Sequence, residues 1–220
     1  MPNYCLNIVE VRGPRKIVKE LVDHKFDFQK IYPQPAELDI TAGREGADDS
    51  AEQKALVAKE EANLKKYGYK NWYDWRCEEW GTKWNAGGGD MGDNMQVDYD
   101  EDVDDTGIAV FTFDSAWAPP VGVYRKLEET YPDLYIEGRY YEPGMGFFGV
   151  WENGDDRCYQ LDNFTGSTDP FWSSEDGILI DENFGIVENL IQAEEESFDE
   201  GAKKVRDYVK GQPQNCEETV

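Results

Sequence analysis

The chain has 220 residues and carries 47 acidic against 22 basic side chains, a formal net charge of -25. That balance excludes sequence-neutral binding to bare nucleic acid or to an anionic membrane, because long-range contact with either is repulsive. Aromatic residues make up 14% of the chain, which excludes wholesale disorder, and the length suits one domain with an elaborated insert.

Residues 4 to 12 read as a strand, with Leu6 and Ile8 alternating against Cys5, Asn7 and Val9. Gly13-Pro14 punctuates, and Ile17, Val18, Leu21 and Val22 form the apolar stripe of a helix over about 14 to 24. Phe26, Phe28 and Ile31 suggest a short strand stopped by Pro33 and Pro35. Residues 36 to 50 form a polar loop, after which Ser50-Ala51-Glu52-Gln53 has the spacing of a capping box and opens a largely solvated helix to Tyr67. In the run Asn71 to Ala86, Trp72, Trp75, Trp80 and Trp84 share one helical face if Gly81 does not break the helix.

Residues 87 to 107 carry eight acidic residues and no basic one, and read as a loop or as a segment ordered by a partner. Residues 108 to 114 form a strong strand. Ala118-Pro119-Pro120 ends it and opens a helix with Val123, Leu127 and Tyr131 at spacing four. Residues 134 to 141 return as a strand, and Asn153-Gly154 marks a hairpin turn. A repeated strand-helix-strand order is the ferredoxin-like plan. Residues 166 to 183 read as a loop. From Phe184 onward, Val187, Ile191, Phe198, Ala202, Val205 and Val209 recur at helical spacing, rimmed by glutamates. The tail beyond Gly211 is expected to be disordered.

Five stretches together resemble one family: the start MPNYCLN, the Gly-Pro before the first helix, FDFQKIYPQP, NWYDWRCEEWGTKWNA, and the later run holding Phe113, Trp117, Pro119 and Pro120. They resemble the YubB-type group of phage and conjugative-plasmid proteins, over roughly residues 1 to 160, most specifically in Trp80 to Asn85. The resemblance implies a ferredoxin-like domain and a mobile-element protein of the bacterial cytoplasm. It implies no settled activity and supplies no catalytic residue. The acidic stretch near 90 to 105 and the acidic C-terminal extension depart from the family pattern.

No constellation of residues carries catalysis. The single histidine, His24, excludes zinc sites built on two or more histidines, and it reads as a solvated cation suited to the helix end. Cys5, Cys77, Cys158 and Cys216 contain no close pair, which argues against structural zinc and for a reducing compartment. The opening Met1-Pro2-Asn3-Tyr4 lacks a signal-peptide pattern, and no apolar run reaches the roughly 18 residues of a membrane span, so a cytoplasmic protein without a membrane anchor is expected. Gly144 to Gly149 spells GxGxxG, but a hairpin and not a helix follows it, so no dinucleotide site forms. Asp98, Asp100 and Asp102 open like a calcium loop, yet Val103 and Ala109 stand where an EF-hand needs Gly and Glu. The tryptophan run reads first as the insert's own core, with Lys83 packed on an indole.

Charge is the remaining clue. At one charge per roughly 1.7 Å of duplex, the net charge matches roughly 42 Å of DNA, and a compact chain of this length is roughly 44 Å across. Acidity of this size serves either solubility or mimicry of a nucleic acid. The expectation is an α+β fold: a ferredoxin-like antiparallel sheet with two packed helices (residues 1–165), a Trp-rich helical insert at about 36–107, and an acidic helical C-terminal extension over 166–220. The expected function is non-enzymatic and needs no cofactor. The protein would bind and inhibit a host nucleic-acid-dependent defence protein through its basic nucleic-acid-binding surface. Asp98, Asp100, Glu101, Asp102, Asp104 and Asp105 would present the charge, with Glu194, Glu195 and Glu196 as a second patch. The alternatives are a Trp-lined ligand pocket holding Lys83 and Asn85, and self-assembly through the C-terminal helix.

Overall fold

The computed structural model describes residues 3–86, 95–101 and 105–211, with side chains to residue 200 and at 203 and 204. The chain divides into two compact units, residues 1–161 and 162–220, against the boundary at 165 expected from the sequence.

The first unit is built on a six-stranded antiparallel sheet. The chain enters through β1 (Tyr4–Pro14) and α1 (Arg15–Asp23), and later runs β2 (Gln96–Glu101), β3 (Thr106–Ala116), α5 (Val121–Thr130), β4 (Tyr135–Glu142), β5 (Phe147–Glu152) and β6 (Asp155–Gln160). Between α1 and β2 lie α2 (Phe28–Ile31), α3 (Ala51–Tyr67) and α4 (Trp72–Trp75). The sheet order is β2-β3-β1-β4-β5-β6, and every neighbouring pair is antiparallel. Its first four strands, with α1 and α5 as crossovers, are a ferredoxin-like split βαβ pair. The β5–β6 hairpin extends the sheet beyond β4. Asn153 (φ 44°) and Gly154 (φ 89°) supply the two left-handed residues that its two-residue turn requires.

Two sequence expectations are corrected here. The Phe26–Ile31 segment is not a strand. Lys25 and Phe26 both sit in the left-handed region (φ 53° and 51°), and the Asp27 side chain accepts from the Gln29 N–H to start α2. A turn followed by a capped helix sends Phe26 and Phe28 into the core, so their spacing of two imitates a strand. The second strand of the ferredoxin plan is β2, inside the acidic stretch expected to be a loop. The insert therefore fills the connection from α1 to β2, and not 36–107.

One face of the sheet, α1, α5 and the insert enclose the core of Val9, Val11, Val18, Phe26, Phe28, Phe111, Phe113, Tyr124, Ile136 and Trp151. Phe26 is its hub, 4.7 Å from Phe111 and 5.8 Å from Phe113 between ring centroids. Alternation along β3 drives this: Ala109, Phe111 and Phe113 are buried, and Ile108, Val110 and Thr112 are half-buried on the other face.

The second unit holds α6 (Glu175–Phe184) and α7 (Ile186–Gly211). Residues 175 to 183, expected to be a loop, are helical. The Ser174 hydroxyl accepts from the Gly177 N–H as a cap. Gly177 is needed there because a Cβ would stand 2.1 Å from the Phe171 carbonyl oxygen. Phe164, Phe171 and Trp172 form a local aromatic cluster, and α7 continues the helical spacing read from Phe184 onward.

Candidate functional site

β2 is the edge of the sheet, and its alternation divides it cleanly. Val97 and Tyr99 pack against the core, whereas Asp98 and Asp100 are exposed on the opposite face, across from Val110 and Ile108. Asp98 makes no ion pair or hydrogen bond among the described residues, and the Asp100 carboxylate accepts only the neighbouring Glu101 N–H, at 2.8 Å. Glu101 is more committed: it accepts from Tyr99 Oη at 2.9 Å and meets Arg15 at 3.5 Å. Arg15 also reaches Asp105 at 3.6 Å and donates its N–H to the Asp105 carbonyl. Arg15 thus offsets one end of the acidic run and leaves the Asp98–Asp100 end uncompensated. Asp102 and Asp104 lie outside the described residues. An acidic edge also blocks pairing with stray strands, a structural use that needs no partner.

The second acidic patch is less available than its sequence suggests. Glu194 accepts from the Ser167 N–H and hydroxyl, both at 2.8 Å, and these bonds hold its carboxyl below the usual carboxylate range. Glu196 accepts from Gln192 at 3.1 Å, and Glu195 is exposed. On α7, Ile191 and Phe198 are exposed, Phe198 at 77%. Side chains of Ala202, Val205 and Val209, like Cys216 and the tail beyond residue 211, lie outside the described residues.

The tryptophan run is not one helix. α4 passes into a π-helical turn over Arg76–Trp80, and Gly81 (φ 87°) ends it. The four rings therefore do not share a face. Trp75 and Trp80 enter the core; Trp72 and Trp84 are half-buried. Residues Trp80 to Asn85 each hold an internal position. Trp80 donates its indole N–H to the Tyr32 carbonyl, at 2.8 Å. Gly81 passes so close to Pro119 that a Cβ would come within 2.9 Å of its carbonyl oxygen. Thr82 takes the place of a strand neighbour for Ala116, its hydroxyl donating to the carbonyl (2.9 Å) and accepting from the N–H (3.1 Å). Lys83 lies 4.1 Å from the Trp84 ring centroid and 4.2 Å from that of Trp117. Asn85 accepts from the Phe28 N–H and donates to Asp27. The same region carries a carboxylate clamp: Glu79 accepts from both Tyr32 and Tyr69, and the bond to Glu79, with burial, pushes the Tyr69 phenol up to about 12. Since Lys83 and Asn85 are engaged apart from each other, they do not converge on a Trp-lined pocket.

A feature that sequence reasoning missed is a cavity of about 390 Å³ between α1, α2 and α5, lined by Leu21, His24, Lys30, Ile31, Leu127 and Tyr131 among others. Ile17, Glu20, Leu21 and His24 fall at spacings of three and four on α1, which is the signal that they share a face. His24 is not the solvated cation expected at a helix end. Burial, then the Lys30 ammonium, holds its pKa below the ordinary imidazole value. The other sequence motifs resolve structurally. Gly144 sits in a turn capped by Glu142, and β5 follows it. Asp98 and Asp100 lie on a strand and not in a calcium loop. Among the described residues no cluster of three metal-ligating side chains occurs, and no helix is long and apolar enough to cross a membrane.

The fold and the sheet edge thus define an elaborated ferredoxin-like domain. Residues 94–169 match a family model described as the ferredoxin-like domain in Api92-like protein. The match runs from just before β2 past β6. The chain is also similar to a crystal structure of a protein api92 from Yersinia pseudotuberculosis, with 12% identity and a TM-score of 0.38 over 73% of this chain and 98% of that one. No curated protein matches it.

Proposed function

We propose that this protein is a phage or plasmid accessory protein that binds a host nucleic-acid-dependent defence protein and blocks it, without catalysis of its own, by presenting carboxylates where phosphates would sit. The similarity of residues 94–169 to the ferredoxin-like domain of Api92-like protein supports the accessory role. The observation that carries the mechanism is the β2 edge: within a chain of net charge -25, Asp98 and Asp100 stand exposed on one face of an edge strand with no cation against them among the described residues. Strand geometry spaces them about 6.6 Å apart along the chain, close to the separation of successive phosphates on one strand. Association driven by such a surface is fast and weakened by salt.

The test is capture of partners from nuclease-treated bacterial lysate by tagged protein, repeated with Asp98→Asn/Asp100→Asn. The expected result is a nucleic-acid-binding enzyme that is inhibited, released by added salt or competing duplex DNA, and lost in the double variant. Equal inhibition by wild type and variant would sink the mechanism. A second reading is self-assembly through α7, favoured by the exposure of Phe198 and Ile191. Light scattering on Phe198→Ser separates the two, since a drop in mass supports assembly.

A further inference from the structure

We propose that the cavity between α1, α2 and α5 binds a small zwitterion, a free α-amino acid with an apolar side chain. Four observations meet there. Its volume of about 390 Å³ falls within the range for small-molecule sites, roughly 300–1,000 Å³. Its floor is apolar, with Leu21 and Leu127 almost fully buried and Ile31 beside them. Its rim carries charges of both signs, Glu20 from α1 and Lys30 from α2. Neither side chain has an ion pair or hydrogen bond among the described residues, and both lie close enough to His24 to bias its charge. Finally, the backbone that joins α1 to α2 is held in an unfavourable form. Lys25 and Phe26 are consecutive non-glycine residues in the left-handed region, a conformation that persists where the surroundings over-determine it and that is concentrated at ligand sites. Phe26 is anchored by the aromatic core, and the chain is thereby turned so that His24 and Lys30 both line the cavity.

The charges select the ligand class. A net anion meets the repulsive field of a chain at -25, and a net cation leaves Lys30 facing its own sign. A molecule with one carboxylate and one ammonium matches Lys30 and Glu20 together and is neutral to the long-range field. His24 adds a polar contact. Among the described residues its Nδ1 is buried without a hydrogen-bond partner. A neutral imidazole has one donor and one acceptor nitrogen, so it can meet either end of such a ligand. The apolar floor takes the side chain. This site shares no residue with the acidic edge, so the two readings stand or fall separately.

His24 is the chain's only histidine, so its imidazole resonances report on this cavity without assignment ambiguity. The experiment is an NMR titration of the full chain with L-phenylalanine as probe, alongside 3-phenylpropionate, which lacks the amine, and phenethylamine, which lacks the carboxylate. A saturable shift of the His24 signals by L-phenylalanine is expected, with each truncated analogue at least tenfold weaker. Glu20→Gln and Lys30→Gln should each weaken L-phenylalanine binding about tenfold, or about 1.4 kcal/mol, with the thermal midpoint unchanged. No saturable shift, equal binding of either analogue, or undiminished binding in both variants would overturn the proposal.

Discussion

Two neighbouring stretches of the first unit use their residues in opposite ways. From Trp80 to Asn85 each residue is consumed by an internal contact: a buried indole, a close approach, a surrogate strand neighbour, a packed ammonium and a bridging amide. From Gln96 to Glu101 the inward residues hold the strand in place, Glu101 meets Arg15, and among the described residues the outward Asp98 and Asp100 make no contact beyond the bond from the adjacent Glu101 N–H to Asp100. The most distinctive sequence signature is thus committed to architecture, and the compositionally plain acidic run is the part free to meet a partner. A distinctive motif marks dense constraint, and dense constraint arises as readily from packing as from function.

The comparison breaks first if the tryptophan segment tolerates damage. Trp80→Ala removes a fully buried indole that touches Phe28 and Trp75, at ring-centroid distances of 5.6 and 5.7 Å. The expected loss of stability is about 3–5 kcal/mol, read from the urea midpoint. A loss below about 1 kcal/mol would show that the insert can collapse onto the sheet without its anchor.

Thr82→Val comes next. Valine keeps the shape but strips the hydroxyl from the buried Ala116 N–H and C=O, which then have no partner at that edge. Leaving buried backbone groups unsatisfied costs about 1–3 kcal/mol, and a value near 2 kcal/mol is expected by denaturant unfolding. Thr82→Ser retains the hydroxyl and should recover most of it. If serine is as damaging as valine, the methyl packing matters and not the strand-like pairing.

These contrasts explain what could be read from the sequence. β1, α1, β3, α5, β4 and the β5–β6 hairpin were legible because each buries one face, so periodicity and turn residues agree. β2 was not, although Val97 and Tyr99 do alternate with Asp98 and Asp100. Six acidic residues in the eight from Asp98 to Asp105 dominate the composition, and an edge strand needs only two apolar side chains to dock. α2 was misread because Phe26 and Phe28 reach one core through a left-handed turn that no side-chain pattern announces. Of the candidate site, Asp98 and Asp100 were legible as charge, while the engagement of Glu101 and Asp105 by Arg15, and of Glu194 by Ser167, depends on contacts distant in sequence. The cavity beside His24 was hidden for the same reason, since α1, α2 and α5 each contribute only part of its wall.

On the acidic side the expected stability effect is small. Asp98→Asn/Asp100→Asn removes two exposed carboxylates whose one bond among the described residues, from the Glu101 N–H to Asp100, the asparagine oxygen can keep, so unfolding should change by no more than about 0.5 kcal/mol. Relief of like-charge repulsion would make the change slightly favourable. A double variant that unfolds would instead make the two aspartates structural, and the contrast with the tryptophan segment would disappear.

His24 stands between the two regimes, neither fully buried nor free, and gives the smallest effect. Burial and Lys30 lower its pKa, while Asp27 and Glu20 pull the other way and do not prevail. The unfolded chain therefore takes up a proton near the ordinary value of 6.5 while the folded protein resists it. This contribution is fully present above that pH and is lost as the pH falls below it toward the folded-state value. Glu37, Asp169 and Glu194, whose hydrogen bonds hold their carboxyls below the ordinary range, also lose stability on acidification, so the wild type alone is a poor readout. The difference between wild type and His24→Gln isolates the imidazole: wild type should lose stability relative to the variant as the pH is lowered from above to below 6.5. Denaturant midpoints on both sides of that value measure it, and the NMR titration of the single imidazole should have its midpoint below 6.5. A midpoint at or above 6.5, or a constant difference between the two proteins, would mean that His24 is solvated after all and belongs with the free charges of the surface.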